Sequence, residues 1–332
     1  MIRKELKRVV PLVATMLVVV LACTAPVRAQ SQPVHYPSRT IKIVVPFPAG
    51  TLTDEVARTF ADELSKQVGR MVLVEDRPGA GGTLGAKLVA SADPDGYTLL
   101  FTNSQYAIAP AVYKTPGYEA LADFVGIALV AESPSAVIVS PKMGVTTLKQ
   151  FIDAAKAKPD TFTFASAGTG SQTHLAAEYF SSQAGIKLVH VPYTDTGSII
   201  SDMIAGRTQA TFAPPGFLLG QIQSGDLLAL AVTSREGMVK PIKAPSVSET
   251  AIPGYEYNTW FGLFAPSRTS PAIVDRLAAA LHTIAQEADL KEKLLKSAVV
   301  TRFMEPKAFD AFVKADIAKE AQIVKAAGIV AR

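Results

Sequence analysis

Short apolar runs alternate with helical periodicity along the first part of the chain. Residues 41–45 read IKIVV, which is typical of a buried strand, and in the stretch that follows Val56, Phe60 and Leu64 fall on one helical face. Strand, helix, strand, helix, strand is the order expected of a parallel sheet with helices on its faces. The strands are predicted at residues 41–45, 71–74 and 97–101, with helices from about residue 53 and over 85–91.

A second, similar series begins at residue 136. Its predicted strands are 136–139, 162–165, 188–191, 210–213 and 229–232, and its predicted helices are 148–157, 174–183 and 199–205. A strand over 258–265 and two amphipathic helices, about 272–287 and 306–326, close the chain. No linker is long enough, or rich enough in serine and glycine, to mark a clean domain break.

These two series predict two α/β lobes between which the chain passes more than once. About 300 residues are also more than one hydrophobic core usually serves. We place lobe 1 at 30–134 plus 258–332 and lobe 2 at 135–257, with residues 1–29 outside both. Such a pair leaves a central cleft where the carboxyl ends of strands face each other, which is the usual ligand position in open α/β sheets.

The N-terminus has the pattern of a cleavable signal peptide. Four basic residues within positions 3–8 precede an apolar run over 9–22, and small residues at Val27 and Ala29 predict cleavage after Ala29 and export to the periplasm. An uncleaved anchor is the first alternative, although the apolar run is shorter than a membrane span of roughly 18 residues. The second alternative is a lipoprotein, with Cys23 lipidated after Val20-Leu21-Ala22.

Removing the leader changes the charge balance. The whole chain has 33 basic and 29 acidic residues, and residues 1–29 hold five of the basic and one of the acidic ones, leaving 28 of each. The basic pI therefore belongs to the leader, and the composition gives no reason to expect nucleic-acid or membrane binding. Cys23 is the one cysteine, so the mature chain has no disulfide, thiolate nucleophile or cysteine metal ligand.

Two strand-to-helix loops carry the candidate chemistry. The first loop, residues 47–54, contains proline and glycine and leads into a helix near Thr53-Asp54; the second loop, residues 166–174, is its glycine- and hydroxyl-rich counterpart in lobe 2. A helix N-terminus offers unpaired N–H groups and a partial positive charge, which suit a carboxylate or phosphate. For both loops the alternative is an ordinary structural turn with a helix cap.

Known nucleotide and catalytic motifs do not fit the remaining loops. Residues 77–85 (RPGAGGTLG) resemble a dinucleotide fingerprint but have Leu84 where the third glycine belongs. The second loop lacks the lysine of a P-loop, and Ser171 does not fit a G-x-S-x-G nucleophile elbow. A hydrolase or transferase using Ser171 or His174 is the enzyme alternative, but no Ser-His-Asp set, metal cluster or cofactor loop supports it. We expect no enzyme activity, metal or cofactor.

The predicted ligand-binding set consists of the two loops and a few flanking residues. His174 is expected to form hydrogen bonds at a helix start, and Tyr193 to point its hydroxyl into the cleft. Trp260 and Phe261 are expected to pack in the core. The set is Phe47, Pro48, Ala49, Gly50, Thr51, Thr53, Asp54, Asn103, Ser104, Ser166, Ala167, Gly168, Thr169, Gln172, His174 and Tyr193.

Several motifs resemble those of the substrate-binding receptors of tripartite tricarboxylate transporters, also called the Bug or TctC family. The resemblance runs through the mature chain in the family's order and spacing. The matching segments are YPSR at 36–39, VPFPAG at 45–50 with Asp54, RPGAGG at 77–82, PDGYTL at 94–99, SAG at 166–168, HLA at 174–176, VHVPY at 189–193 and WFGLFAP at 260–266.

The resemblance implies a type II-like, two-lobe periplasmic binding protein that closes like a Venus flytrap on a small carboxylate and presents it to membrane permease subunits. It also implies that main-chain N–H groups and ordered waters between the two loops hold the carboxylate. Nucleic acid is not an expected partner, and a monomer is expected. A receptor that signals to a membrane sensor instead of serving transport is the remaining alternative.

The chain departs from the family pattern in the ligand region. Thr51 replaces a frequent second glycine, the family's Pro-Tyr-Lys-Gly is Pro-Tyr-Thr194-Asp195 here, and Ala213-Pro214 replaces Asp-Asn. Losing a lysine and gaining Asp195 disfavours a second ligand carboxylate. The expected ligand is therefore a monocarboxylate or an aromatic acid.

Overall fold

The computed structural model describes residues 36–238 and 240–331. The described residues from Pro37 onward belong to one compact unit. The predicted signal peptide, its cleavage after Ala29 and the alternative lipidation of Cys23 lie outside the described residues. Within the described ranges, no helix combines the length and apolar character that a membrane span needs.

Eleven strands in the described part of the chain form two sheets. The strands are β1 (Ile41–Val45), β2 (Val72–Asp76), β3 (Thr98–Asn103), β4 (Phe124–Pro134), β5 (Ala136–Val139), β6 (Thr163–Ser166), β7 (Val189–Pro192), β8 (Ala210–Ala213), β9 (Leu228–Val232), β10 (Asn258–Pro266) and β11 (Val300–Met304).

The helices of the described part are α1 (Leu52–Val68), α2 (Thr83–Ala90), α3 (Gln105–Val112), α4 (Leu148–Ala157), α5 (Gln172–Ala184), α6 (Thr196–Ala205), α7 (Leu219–Ser224), α8 (Val247–Thr250), α9 (Pro271–Gln286), α10 (Ala288–Leu295) and α11 (Pro306–Ala326). Short 3₁₀ turns cover Ala80–Gly82, Pro141–Met143 and Pro215–Leu218.

The six-stranded sheet has the order β11-β4-β10-β3-β1-β2. Its β1, β2 and β3 are parallel, with Ile43 opposite both Val74 and Leu99, as the β-α-β-α-β pattern predicted. In contrast, β10 is antiparallel to β3 and β4, and β11 is antiparallel to β4. The parallel arrangement predicted for the first three strands is therefore present, and the two antiparallel strands come from later parts of the chain rather than through βαβ crossovers.

The five-stranded sheet has the order β7-β6-β8-β5-β9. Its β6 runs parallel to β7 and β8, whereas β5 is antiparallel to β8 and β9. In both sheets, therefore, the parallel strands are those that helices connect. The chain passes from the first sheet to the second where β4 continues through Ser135 into β5. It returns between β9 and β10, over a segment that includes α8.

Each sheet has its own aromatic core. On the six-stranded sheet, Phe264 stacks on Tyr106 with ring centroids 4.7 Å apart, and Trp260 and Phe309 pack in the same cluster, so the core placement of Trp260 follows expectation. The core of the five-stranded sheet contains Phe164, Phe180 and Phe212. That second cluster also takes in Ile108 and Val112 of α3 and Ile323 and Val324 of α11, which joins the two halves at one side.

Candidate ligand-binding site

The first loop leaves β1 at its carboxyl end and enters α1. Thr51 caps the helix: its Oγ1 accepts the Asp54 N–H at 3.5 Å and donates to the Pro48 carbonyl at 2.8 Å. Gly50 has φ +79°, a left-handed conformation that favours glycine. The helix therefore begins at Leu52, slightly earlier than the start predicted near Thr53-Asp54, and Thr51 is its cap.

Asp54 folds back onto the first loop. Its buried carboxylate accepts the Gly50 N–H at 2.8 Å through Oδ2, and its Oδ1 lies 2.6 Å from Arg58 Nε. Arg58 also reaches Asp76 at 2.6 Å. Burial and the nearby Asp54 charge raise the pKa of Asp76. Asp54 thus holds the loop in shape and its carboxylate oxygens face groups of the protein itself.

Asn103 and Ser104 lie beside the first loop, at the carboxyl end of β3. Asn103 Nδ2 donates to Thr53 Oγ1 at 2.7 Å, and its Oδ1 accepts the Gln105 N–H at 2.9 Å. Ser104 is buried, and its Oγ accepts the Trp260 N–H at 3.0 Å. The carboxyl ends of β1 and β3 therefore gather these predicted residues at one edge of the sheet.

The second loop is bound by its own side chains. Thr173 Oγ1 accepts the Ala167 N–H at 2.9 Å, and Ser166 Oγ accepts the Gly168 N–H at 3.1 Å. Ser171 caps α5 by accepting the His174 N–H at 3.3 Å. Thr169 is exposed between two glycines with positive φ. The loop thereby presents Thr169 and the first turn of α5 outward.

The N-termini of α1 and α5 carry the unpaired donors of the site. The first N–H groups of a helix have no intrahelical acceptor, which here leaves those of Leu52 and Thr53 in α1 and of Gln172 and Thr173 in α5. Aligned peptide dipoles add a partial positive charge at both ends. Neither loop contains lysine or arginine. An anion between the loops would therefore be held by neutral donors.

A chain of hydrogen bonds links the first loop to the second. It starts with the Thr53–Asn103 and Asn103–Gln105 bonds and ends where Gln105 Nε2 donates to the Gly170 carbonyl at 3.4 Å. Gln105 was not among the predicted site residues, although its position directly after Asn103-Ser104 was a usable signal. A second contact from this loop is made by Gln172, whose Nε2 donates to Ser135 Oγ at 3.4 Å at the β4–β5 crossover.

His174 is buried on α5 and stacks on His190 of β7, with ring centroids 3.7 Å apart and planes at 10°. Its Nδ1 accepts the Gly170 N–H at 3.1 Å. His190 Nε2 lies 2.6 Å from Ser166 Oγ. His190 was not among the predicted site residues, because its pairing with Phe164 in the neighbouring strand is visible only in the fold.

Tyr193 does not offer its hydroxyl to the cleft. The hydroxyl donates to Asp202 Oδ2 at 2.7 Å, while the Tyr193 N–H donates to the Ser166 carbonyl at 2.9 Å. The prediction that the Tyr193 hydroxyl points into the cleft was therefore wrong, because Asp202 of α6 lies close enough to accept a hydrogen bond from that hydroxyl. Tyr193 supports the second loop through its backbone.

Acidic groups dominate the turn after Tyr193. Asp195 caps α6, accepting the Ser198 N–H and the Ser198 hydroxyl at 2.8 Å each. These bonds hold the pKa of Asp195 below its usual range, so it is ionised at neutral pH. Arg207, the cation of this region, is paired with Asp202 through Nε at 2.7 Å. The turn therefore adds negative charge beside the second loop.

The Ser166–His190 contact has the composition of a nucleophile and base, but its surroundings do not suit catalysis. Ser166 is fully buried, so its hydroxyl is closed to a substrate. The carboxylate in this cluster, Glu178, lies 3.5 Å from His174 rather than beside His190, so the third member of a triad does not orient the base. Within the described residues, no group of three or more His, Cys, Asp or Glu forms a metal site.

A groove of about 680 Å³ lies between α5 and α11, apart from both loops. Among its lining residues are Glu178, Tyr179, Lys187 and Lys319. The N-terminal residues of α1 and α5 are not among its lining residues. The two loops remain the candidate site because their polar groups lie at the N-termini of α1 and α5.

Residues 56–329 match the model of the tripartite tricarboxylate transporter family receptor, TctC. Protein BugT of Bordetella pertussis is 31% identical over 306 residues, covering 92% of this chain and 93% of BugT. A UPF0065 protein from the TAR-I ttuE-ttuC' intergenic region of Agrobacterium vitis is 32% identical over 314 residues, covering 94% of this chain and 90% of that protein.

Solved structures show the same architecture. Rpa4515 of R. palustris, solved with adipate, superposes with a TM-score of 0.79 at 28% identity, over 90% of this chain and all of that one. The periplasmic binding protein BugD gives 0.75 at 31% identity over 90% and 100%. MatC of Rhodopseudomonas palustris, with bound malate, gives 0.72 at 27% identity over 87% and 100%. The predicted α/β periplasmic binding protein fold is confirmed, and this chain belongs to the family of tripartite tricarboxylate transporter receptors.

Proposed function

We propose that this protein is a periplasmic solute-binding receptor that captures a small carboxylate between its two loops. The observation that carries the proposal is the hydrogen-bond chain from Thr53 through Asn103 and Gln105 to Gly170. It ties together two helix N-termini that each present unpaired N–H donors. Backbone donors at a helix start are well suited to a carboxylate.

Within this site the predicted residues have two kinds of role. The ligand-contacting part consists of backbone and hydroxyl groups: Phe47, Pro48, Ala49, Gly50, Thr51, Thr53, Ala167, Gly168, Thr169 and Gln172. The supporting part fixes the loops by hydrogen bonds to the protein itself: Asp54, Asn103, Ser104, Ser166, His174 and Tyr193. In this division neutral groups bind the ligand, and the Asp54 carboxylate is a support for the first loop.

The charge around the loops favours a ligand with one carboxylate. The loops carry no basic residue, Arg58 is occupied by Asp54 and Asp76, and Arg207 is occupied by Asp202. Asp195 is ionised and would repel a second ligand carboxylate at that rim. We therefore propose a monocarboxylate or an aromatic acid, in contrast to the adipate bound to Rpa4515 and the malate bound to MatC.

For this role we propose that the two sheets belong to two lobes that move about the segments joining them. We propose lobe 1 at 30–134 plus 258–332 and lobe 2 at 135–257, which places the two crossovers next to Ser135 and Asn258. Ligand binding would draw the loops together across the cleft. Export by a signal peptide cleaved after Ala29 would place the protein in the periplasm, where it acts as a monomer.

Delivery to the membrane permease subunits of a tripartite transporter is the proposed outcome of capture. The family match supports it, because receptors of this family are described by their transporter. We propose no catalytic role, since the Ser166 hydroxyl is enclosed. The alternative is a receptor that reports its ligand to a membrane sensor. An uptake assay separates the two roles: deleting the gene abolishes accumulation of the labelled ligand only if the protein serves transport.

Calorimetry on the mature chain tests capture and ligand class together. Hexanoate against adipate, and benzoate against phthalate, give two pairs that differ by one carboxylate. We expect the monocarboxylate of at least one pair to bind at least about tenfold more tightly, a difference of about 1.4 kcal/mol. Tighter binding of both diacids would contradict the proposed charge selection. Turnover of an added substrate, without binding of any acid, would contradict the receptor itself.

A further inference from the structure

The turn between α10 and β11, residues 296–299, ends α10 with alanine where glycine is usual. The Val299 N–H donates to the Leu294 carbonyl at 3.1 Å, and Ala298 has φ +57°, the left-handed conformation that closes many helices. A residue with a Cβ is disfavoured in this conformation. We therefore expect the methyl group of Ala298 to be kept for a contact that glycine would not make.

That contact lies in the core of the other sheet. Ala298 is fully buried and belongs to an apolar cluster whose other members, such as Ala136 and Leu218, all lie between residues 136 and 244. Its carbonyl accepts the Ser133 hydroxyl at 2.9 Å, two residues before the crossover at Ser135. The turn thus leaves the proposed lobe 1 and packs into the proposed lobe 2, beside the first crossover.

Gly216 of the proposed lobe 2 meets this turn at a distance that leaves no room for a side chain. A Cβ at Gly216 would lie 2.8 Å from the Ser297 carbonyl oxygen and 3.5 Å from the carbonyl carbon. Gly216 does not have a positive φ, so its glycine is required by space and not by conformation. The two main chains are therefore in direct contact between the lobes.

Gly216 is attached to the sheet edge that carries the second loop. It follows β8, which runs parallel to β6 and pairs with it at Ala165 and Thr211. Parallel neighbours have their carboxyl ends at the same edge of a sheet. There β6 leads into the second loop, and β8 leads into the 3₁₀ turn that contains Gly216. The position of Gly216 is therefore coupled to the strand edge that supports the second loop.

The 296–299 turn also reaches the helix that starts at the first loop. The Ser297 hydroxyl donates to Glu55 Oε1 at 2.6 Å, and Glu55 lies in the first turn of α1. The N–H groups of Leu52 and Thr53, which have no intrahelical acceptor, belong to the same helical turn. Ser297 thus contacts the support of the first loop through its hydroxyl and that of the second loop through its carbonyl.

We propose that Ser297 and Gly216 form a pivot between the lobes, and that their contact sets the angle at which both loops reach one carboxylate. The inference rests on the proposed function. A close-packed contact between two main chains cannot be compressed, so lobe 2 turns about this point. Ser297 and Gly216 are therefore positioning residues, which act on the ligand through the two helix N-termini that they align.

The first test needs no ligand. Residual dipolar couplings of the ¹⁵N-labelled mature protein give the relative orientation of the two sheets, and small-angle X-ray scattering gives the radius of gyration. In Gly216→Ala we expect the sheets to rotate apart and the radius to increase, because the contact lies on the side where both loops begin. Gly220→Ala adds a Cβ in open space without a positive φ and should match wild type. An unchanged sheet orientation in Gly216→Ala would overturn the proposal.

A second pair of variants decides the case if Gly216→Ala does not fold. Ser297→Ala keeps the main-chain contact but loses the hydroxyl bond to Glu55, so the pivot is no longer fixed to α1. We expect the dipolar couplings then to give unequal alignment for the two sheets, which reports motion between them. Glu55→Gln keeps an acceptor oxygen and should behave like wild type. Equal alignment of both sheets in Ser297→Ala would contradict the pivot.

Affinity connects the pivot to the proposed function. Calorimetry with benzoate and adipate should give about tenfold weaker binding in Gly216→Ala, as expected if the aligned arrangement falls to about a tenth of the molecules. Gly220→Ala should bind like wild type. Wild-type affinity in a Gly216→Ala protein whose sheets have rotated would refute the claim that this contact aligns the loops. If neither acid binds wild type, the proposed function fails with these probes, and the sheet orientation still decides the pivot.

Discussion

At the scale of single residues, the two loops keep their shape through side chains that bond back to the main chain. Thr51 and Ser171 cap α1 and α5 in the same way, each accepting the N–H three residues on. Asp54 and His174 accept the loop amides of Gly50 and Gly170. In both loops, one cap and one longer side chain leave the first helical N–H groups free for a ligand.

Asp54→Ala should loosen the first loop. It removes the acceptor for the Gly50 N–H and leaves Arg58 with one of its two partners, so we expect a loss of about 2 kcal/mol in unfolding free energy and weaker carboxylate binding. Chemical denaturation and calorimetry measure the two effects. Asp62→Ala, at an exposed position of the same helix, is the control. Unchanged affinity in Asp54→Ala would show that the first loop does not contact the ligand.

Gly168→Ala should weaken binding through backbone strain rather than crowding. An added Cβ would have the Tyr193 carbonyl oxygen at 3.8 Å, an ordinary contact, but φ +103° is a conformation that alanine rarely adopts. Such strain costs about 1–3 kcal/mol, which the loop can relieve by changing shape. Gly220→Ala, with open space and no positive φ, is the matched control. If Gly168→Ala binds with wild-type affinity, the second loop has only a structural role.

The helix caps and loop glycines were predictable from the sequence because they depend on neighbours within four residues. The bonds that join the loops were not. Asn103 contacts Thr53 across 50 positions and Gln105 contacts Gly170 across 65, so only the fold brings them together. The Tyr193 hydroxyl was misplaced for the same reason, since its partner Asp202 lies on the next helix.

At the scale of helices and strands, apolar runs located most elements but not their directions. The strands predicted from 41–45 to 258–265 all exist, with each bound within two residues of the predicted one. No element was assigned to β4, although its Val125–Val130 stretch is continuously apolar, or to α3, where Pro110 lies inside the helix. The antiparallel placing of β10 depends on long-range pairing that periodicity does not encode.

The C-terminal helix α11 holds the return crossover in place. Glu320 accepts the Tyr257 hydroxyl at 3.0 Å, and Asp316 accepts the Trp260 indole N–H at 2.8 Å. Lys319 lies 2.8 Å from Asp316. Burial, with a smaller contribution from Asp316, raises the pKa of Glu320 to about 8. Glu320 is therefore mainly protonated at neutral pH in the folded protein.

This raised pKa predicts a pH-dependent stability. Because the folded state binds the Glu320 proton more tightly than the unfolded state, the stabilisation is complete below pH 4.5 and is lost as pH rises through about 8. The loss amounts to at most about 5 kcal/mol. Denaturation between pH 4.5 and 9 should show a shallower decline in Glu320→Gln than in wild type, whereas the exposed Glu292→Gln should follow wild type. If the unfolding free energy of all three proteins had the same pH dependence, Glu320 would carry no buried proton at neutral pH.

At the scale of the whole molecule, the candidate site depends on loops that come from two different sheets. The carboxyl ends of β1 and β3 in one sheet and of β6 in the other carry the loops, while α3 and α11 pack into the core of the second sheet. The first crossover between the sheets is the single residue Ser135, whereas the return covers residues 233–257 and includes α8. The proposed preference for one carboxylate depends on individual side chains such as Asp195, which the shared fold does not determine.

The central claim is that a carboxylate sits between the N-termini of α1 and α5. Amide resonance mapping of the ¹⁵N-labelled mature protein, titrated with a carboxylate that binds by calorimetry, tests it most directly. The account predicts that the largest shifts fall on both loops, at Leu52, Thr53, Thr169 and Gln172, and that they appear together. Shifts confined to one loop, or centred on the groove between α5 and α11, would contradict it.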